Sequence, residues 1–204
     1  MIEMMDQGSE SWFQVRLGKV TASRVADVLA KTKSGYSSSR DNYMAQLICE
    51  RLTGKKAESF TNAAMQWGTE TEPLARLAYE VANNVLVDEV GFVPHPTIEM
   101  AGASPDGLVN QDGQIECKCP QTNTHIETLL TQTVPTKYFT QMQFQMACTG
   151  REWCDFVSFD NRLPEELQLF VKRVPRDDMY IKLMEAEIVQ FLAELDDKIN
   201  KLMK

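Results

Sequence analysis

The stretch Ser104-Pro105-Asp106-Gly107-Leu108-Val109-Asn110-Gln111-Asp112-Gly113-Gln114-Ile115-Glu116-Cys117-Lys118-Cys119-Pro120 decides the fold. Two β-favouring runs, Gly107 to Val109 and Gln114 to Cys119, flank Asn110-Gln111-Asp112-Gly113, a tight-turn signal in which Asp-Gly suits positive φ angles. A hairpin is expected. On its second strand alternate side chains share a face, so Glu116 and Lys118 project together about 7 Å apart, with Ile115, Cys117 and Cys119 turned the other way as core residues. The fold-back brings Asp106 beside Glu116. Two carboxylates and one ammonium, without histidine or thiolate, form a hard-oxygen site suited to Mg²⁺ or Mn²⁺ beside a phosphate. Pairing with two acids favours the charged lysine, which points to electrostatic help rather than base chemistry.

Outward from this hairpin the pattern is mixed. Helices are expected at Ser9 to Leu17, at about Thr21 to Ala30, at Asp41 to Leu52 with Gly54 as stop, and at Asn62 to Ala82, kinked near Pro73. Lys31 to Ser39 reads as a mobile loop. Short β-runs follow at Val85 to Val93 and Met100 to Ala103. After the hairpin come helices at about Asn123 to Leu130 and Lys137 to Cys148, then strands at Trp153 to Phe159 and Leu167 to Val174. In the tail, 177–203, Ile181, Met184, Ile188, Phe191, Leu195, Ile199 and Leu202 make one apolar helical face, for the chain's own core or for a partner subunit. The expected class is α/β (α+β): a helical N-terminal part over 9–82, a central mixed sheet over 85–174 and a C-terminal helix, in one domain spanning 1–204.

At 204 residues and 23.2 kDa the chain is long enough for a sizeable core without disulfide staples. Apolar residues make up 43% and charged residues 25%, and no run approaches a membrane span of about 18 apolar residues. Met1-Ile2-Glu3-Met4-Met5-Asp6 carries acids where an export signal carries bases, so a cytoplasmic location is expected. The five cysteines are odd in number and scattered, and only His95 and His125 accompany them, which speaks against a zinc or iron–sulfur site. The net charge of −8 argues weakly against passive binding of polyanions. Its distribution is uneven, because Glu10 to Lys56 holds nine Lys and Arg against four acids. Such a segment suits either a solvated helix face or a phosphate backbone, since salt screens the remaining acids beyond about 8–10 Å.

With Pro105-Asp106 and Glu116-Cys117-Lys118 the sequence resembles the PD-(D/E)xK nuclease superfamily, with its restriction-endonuclease-like core. It is similar in particular to the phage lambda exonuclease and YqaJ-type viral recombinase branch. The resemblance spans Trp12 to about Gly150 through Trp12-x-x-x-Arg16-x-Gly18-x-x-Thr21-Ala22-Ser23, Trp67-Gly68-x-x-x-Glu72, the two catalytic blocks and Gln141-x-Gln143. It implies that Asp106, Glu116, Glu72 and the Cys117 carbonyl hold two Mg²⁺ ions, with Mn²⁺ as a substitute, and that Lys118 is the catalytic lysine. It places Arg16, Ser23, Ser104 and Gln143 in a 5′-phosphate pocket, and Lys33, Gln141 and Met65 against DNA. Met65 falls at the position of an apolar strand-separating wedge, with core packing as its alternative. The activity implied is 5′-to-3′ digestion of one strand from double-stranded DNA ends, leaving 3′ single strands for phage-type recombination in a bacterial host. A homotrimeric ring and a single-strand annealing protein are the implied partners. The alternatives are a PD-(D/E)xK endonuclease and a non-catalytic DNA-end-binding scaffold.

Overall fold

The computed structural model describes residues 6–57 and 62–204. The acidic start, Met1 to Met5, lies outside the described residues. Ser9 caps the first helix, α1 (Glu10–Arg16), by accepting from the Trp12 amide at 3.3 Å. Then come β1 (Val20–Thr21), a 3₁₀ turn (Ala22–Arg24) and α2 (Val25–Leu29). The hairpin β2 (Lys31–Thr32) and β3 (Gly35–Tyr36) leads into α3 (Ser38–Thr53). Asn62 caps α4 (Ala63–Asn83), which runs through Pro73. The strands β4 (Val87–Asp88), β5 (Val93–Pro94), β6 (Ala101–Ala103), β7 (Gly107–Val109) and β8 (Gly113–Lys118) follow. The chain closes with α5 (Thr122–Thr131), α6 (Thr136–Thr149), β9 (Trp153–Phe159), α7 (Glu165–Gln168), β10 (Leu169–Pro175) and α8 (Asp178–Leu202).

A mixed five-stranded sheet has the order β10-β9-β8-β7-β4, and a three-stranded one the order β1-β6-β5. Within the larger sheet only β8 and β9 run parallel, and α5 and α6 supply the crossover that a parallel pair requires. The α/β class with helices flanking a mixed sheet is therefore the one observed. On one face of the sheet Ala75 and Tyr79 of α4 pack on Val109, Ile115, Cys117, Cys119, Val157 and Phe159. On the other, Met142 and Met146 of α6 pack on Cys154, Phe156 and Phe170. A third cluster joins α2, α3 and α8 to the small sheet, and it takes up Ile181, Met184, Ile188, Phe191 and Leu195. The apolar face of the C-terminal helix thus packs within this chain, apart from Leu202, which is exposed.

Four local expectations are corrected. Lys31 to Ser39 is not a loop but the β2–β3 hairpin and the start of α3, tied to α8 because the Lys31 ammonium and the Tyr36 hydroxyl both donate to the Glu187 carboxylate, at 2.6 and 2.7 Å. Helix α3 begins at Ser38 rather than Asp41, and Arg40 in its first turn is buried and paired with Glu194. The run Val85 to Val93 splits into two short strands that join different sheets. In the central hairpin the left-handed residue is Asn110, at φ 51°, while Gly113 already pairs with Val109 as the first residue of β8. Gly113 is required for packing instead, since a Cβ there would lie 2.0 Å from the Trp153 ring.

Overfilling of this kind costs about 1–3 kcal/mol. Gly113→Ala is accordingly expected to lower the urea midpoint by that stability at unchanged m-value, and an unchanged midpoint would refute the packing account.

Candidate active site

The ladder between β7 and β8 ends at Gly107 opposite Ile115. The next inward-facing amide of β8, that of Cys117, is taken by a side chain instead: it donates to Asp106 Oδ2 at 2.7 Å. Along an extended strand a residue's N–H and C=O point to the same side, so the Cys117 carbonyl also faces the Asp106 side. Glu116 projects from the opposite face of β8 from Ile115 and Cys117, toward α6. There its Oε1 accepts from Gln141 at 2.6 Å and from Lys118, and its Oε2 from Gln145 at 2.5 Å. The Gln145 carbonyl in turn accepts from Gln114 at 3.4 Å, which fixes the amide with its NH₂ on the acid. Across the cleft α4 carries Glu72, whose neighbour one turn on, Arg76, lies 3.6 Å from it and donates to the Asp106 carbonyl at 2.7 Å.

Burial and crowding set the charges. Asp106 is 9% exposed and Glu116 fully buried. Burial, then the neighbouring Glu116 carboxylate, pushes the Asp106 carboxyl well above its ordinary range. Glu72 is raised as well, chiefly by burial, with Arg76 and Lys118 opposing. Burial disfavours the Lys118 ammonium, but Glu116 and Asp106 outweigh it and hold the group above the usual lysine range. Lys118 is therefore a fixed cation.

Among the described residues no three His, Cys, Asp or Glu side chains already form a cage for an ion. Glu116 closes on Lys118 and two glutamines, as a buried acid must when like charges crowd it. The donor chemistry nonetheless fits a hard divalent cation. Asp106, Glu116, Glu72 and the Cys117 carbonyl offer only oxygen, and two of the three carboxyls are destabilised by carrying charge there.

The phosphate-pocket residues divide. Arg16 donates to Ser104 Oγ at 2.8 Å while stacking on Trp12, whose indole N–H reaches the same oxygen at 3.0 Å. With two donors on it, the Ser104 hydroxyl is left to donate its own proton. Trp12 is thus a wall of the site. Burial lowers the Arg16 guanidinium to about 10, which leaves it charged at neutral pH. Ser23 is exposed on a cleft of about 530 Å³ that also contains Met65, Glu72, Lys118, Tyr138 and Gln141. Gln143 corrects the expectation. It is fully buried, donates to the Pro175 carbonyl at 2.8 Å and accepts from the Asp177 amide at 2.8 Å, so it ties α6 to the start of α8. Gln141 and Gln145, four residues apart on one helical face, are the glutamines that reach the site.

Met65 is 53% exposed and lies on the cleft, which removes the core alternative. Lys33 is exposed in the turn between β2 and β3. Of the cysteines, Cys117, Cys119, Cys148 and Cys154 are buried and Cys49 is exposed. Burial pushes the Cys119 thiol up to about 12, a core environment rather than a ligand's. Gln145, Arg76 and Trp12 were missed as site residues. The four-residue spacing from Gln141 was the available signal for the first, and the Glu72–Arg76 spacing for the second.

The chain and its fold have counterparts among known proteins. The chain is 56% identical to the alkaline exonuclease LHK-Exo from Laribacter hongkongensis, whose crystal structure superposes with a TM-score of 0.90 over 96% of each chain. The structure of LHK-Exo in complex with dAMP gives 0.89 at the same identity, over 95% of this chain and 96% of that one. A phage-related exonuclease from Haemophilus somnus 129PT is 16% identical and shares the fold alone, with a TM-score of 0.73 over 90% of this chain and 96% of that one. The uncharacterized protein R354 of Acanthamoeba polyphaga mimivirus is 25% identical over 170 residues, 76% of this chain. The chain spans only 29% of that curated relative. Residues 11–152 match the model of the YqaJ-like viral recombinase domain.

Fold and site together define a PD-(D/E)xK-like core of the kind found in alkaline exonucleases, which are deoxyribonucleases. The chain belongs to the YqaJ-like viral recombinase family.

The raised Asp106 carboxyl has a stability consequence. A folded-state pKa above the unfolded one gives stability that is present below pH 4 and is lost as pH rises through the raised value. In EDTA at pH 8, Asp106→Asn is expected to be about 0.5–2 kcal/mol more stable than the parent. Millimolar Mg²⁺ should raise the parent's melting temperature and leave the variant's nearly unmoved. Equal Mg²⁺ responses would remove Asp106 from the ligand set.

Proposed function

We propose that the protein is a Mg²⁺-dependent, double-strand-specific DNA exonuclease that digests one strand 5′ to 3′ and leaves 3′ single strands for phage-type recombination. One observation carries the reading: Asp106, Glu116 and Lys118 meet at the frayed end of the β7–β8 ladder, beside a cleft whose wall holds Glu72. The 56% identity to LHK-Exo over nearly the whole chain supports it.

Asp106, Glu116, Glu72 and the Cys117 carbonyl are the groups to hold two divalent ions. When bound, such ions polarise the phosphodiester and lower the pKa of water, which neither the lysine nor the glutamines can do. Gln141 and Gln145 hold the Glu116 carboxylate in place, where it would serve a divalent ion as an oxygen ligand. Lys118, held charged by the neighbouring Glu116 and Asp106, offers a positive charge to the phosphate. Arg16 and Ser104 offer a planar donor fork and a free hydroxyl to a 5′-phosphate, with Ser23 on the adjoining wall. These contacts would set the register for single-nucleotide steps. Met65 stands exposed on the cleft as the apolar tip that separates strands, and Lys33 as a cation for the backbone. The wider setting belongs to the same proposal: a homotrimeric ring around duplex DNA, an annealing protein that receives the 3′ strand, and the cytoplasm of a phage-bearing bacterium. Among the described residues no helix is long and apolar enough to cross a membrane.

The test is digestion of linear duplexes labelled at either end of one strand, with Mg²⁺ or EDTA. Early release of the 5′ label only with Mg²⁺, and intact closed circles, are expected; rapid nicking of circles would establish an endonuclease instead. Asp106→Ala should lower nucleotide release by at least about 10³-fold while duplex binding persists. Arg16→Ala should slow digestion of 5′-phosphorylated ends by about 10–100-fold, corresponding to a charge-assisted contact of about 1.5–3 kcal/mol, and bring the rate to that of 5′-hydroxyl ends. A parent enzyme indifferent to the 5′-phosphate would contradict the pocket.

A further inference from the structure

The cations of the basic N-terminal segment divide into two groups. Lys31, Arg40 and Arg51 pair with Glu187, Glu194 and Asp196 of α8 at 2.6, 2.8 and 2.6 Å, so they bind helix to helix. Four of the others, Arg16, Lys19, Arg24 and Lys56, converge on a separate cleft of about 130 Å³ between α1, the 3₁₀ turn and α3. Their charged heads lie over rings: Arg16 over Trp12 at 3.8 Å, Lys56 over Phe13 at 3.7 Å, Arg24 over Tyr43 at 4.2 Å and Lys19 over Phe92 at 5.4 Å. A ring face positions a cation without cancelling its charge, as a carboxylate would. Among the described residues only Arg24 of the four forms an ion pair, with Asp27 at 2.6 Å. The one acid lining the cleft is Glu50, and both its oxygens are engaged, by the Gly18 amide at 3.0 Å and Gln46 at 2.8 Å. What remains is a small, aromatic-walled concavity in which four cations, one of them paired with Asp27, outnumber the single lining carboxylate among the described residues.

We propose that this cleft is a second phosphate subsite, in which Lys19, Arg24 and Lys56 hold a backbone phosphate of the DNA end. It contains none of Ser23, Ser104, Asp106, Glu116 or Lys118, and Arg16 is the residue it shares with the terminal-phosphate pocket. Arg16 therefore links the two, with one nitrogen on Ser104 and its ring-stacked face in the second cleft. The subsite rests on the exonuclease reading and adds to it a grip on the DNA away from the reacting bond. A strand held at two phosphates keeps its register while the terminal nucleotide leaves.

Binding of a 5′-phosphorylated linear duplex, measured in EDTA so that hydrolysis is stopped, tests the subsite. Each phosphate contact contributes about 0.9 to the slope of log K against log[salt]. K19Q/K56Q is expected to reduce that slope by about 1 and to weaken binding at 0.1 M salt by about ten-fold, whereas K182Q on α8 leaves both unchanged. An unchanged slope in the double variant overturns the proposal. Calorimetric titration of inorganic phosphate and of dAMP identifies the source of the phosphate. Heat with the parent and none with K19Q/K56Q means that the subsite also takes free phosphates, while a slope change without heat assigns it to the strand alone. If the parent fails to digest linear duplex with Mg²⁺, the exonuclease reading falls and the slope comparison still decides the subsite.

Discussion

The hydrogen bond from the Cys117 amide to Asp106 is the constraint on which the site depends. Strand β7 starts one residue after Asp106, so the carboxylate occupies the place of the next strand partner. A backbone amide whose ladder has ended needs an acceptor, and an acid that meets this need is held within reach of the strand's outward acid. That requirement brings two negative groups together, which burial makes costly. Arg76, Lys118, Gln141 and Gln145 are the means by which the rest of the chain tolerates the arrangement. The helices α4 and α6 approach the sheet from opposite faces and supply these residues, so core packing and site assembly are one event.

Much of this was legible in the sequence because the signals are local. Period-two alternation separated Glu116 and Lys118 from Ile115, Cys117 and Cys119, and the structure keeps that division. The helix starts near Ser9 and Asn62 and the stop at Gly54 lie where they were expected. Failures arose where distant partners decide. Nothing near Lys31 or Tyr36 indicates that Glu187, about 150 residues on, will turn a polar stretch into a hairpin. Gln143 was misplaced for a related reason: its neighbours at 141 and 145 share one helical face, while it faces the β10–α8 junction. Gly113 suggested turn chemistry, but its true cause, the Trp153 ring on the next strand, is invisible to a local reading.

Charge is organised more finely than composition implies. In the segment from Glu10 to Lys56, Lys31, Arg40 and Arg51 are held by carboxylates on α8, whereas Arg16, Lys19 and Lys56 lie over aromatic faces without an ion pair among the described residues. The first kind neutralises charge and joins elements. The second preserves it, at the end of the molecule where Arg16 connects to Ser104. An acidic protein can in this way keep a locally positive surface while most of its exterior repels polyanions.

The burial of four cysteines beside an exposed Cys49 has a practical consequence. Thiolates react with maleimides and thiols do not, so the high-pKa sulfurs in the core resist modification under native conditions. Cys49, on the outer side of α3, offers a single attachment point for a fluorophore or spin label. The native chain is thereby prepared for single-molecule observation without any engineered cysteine.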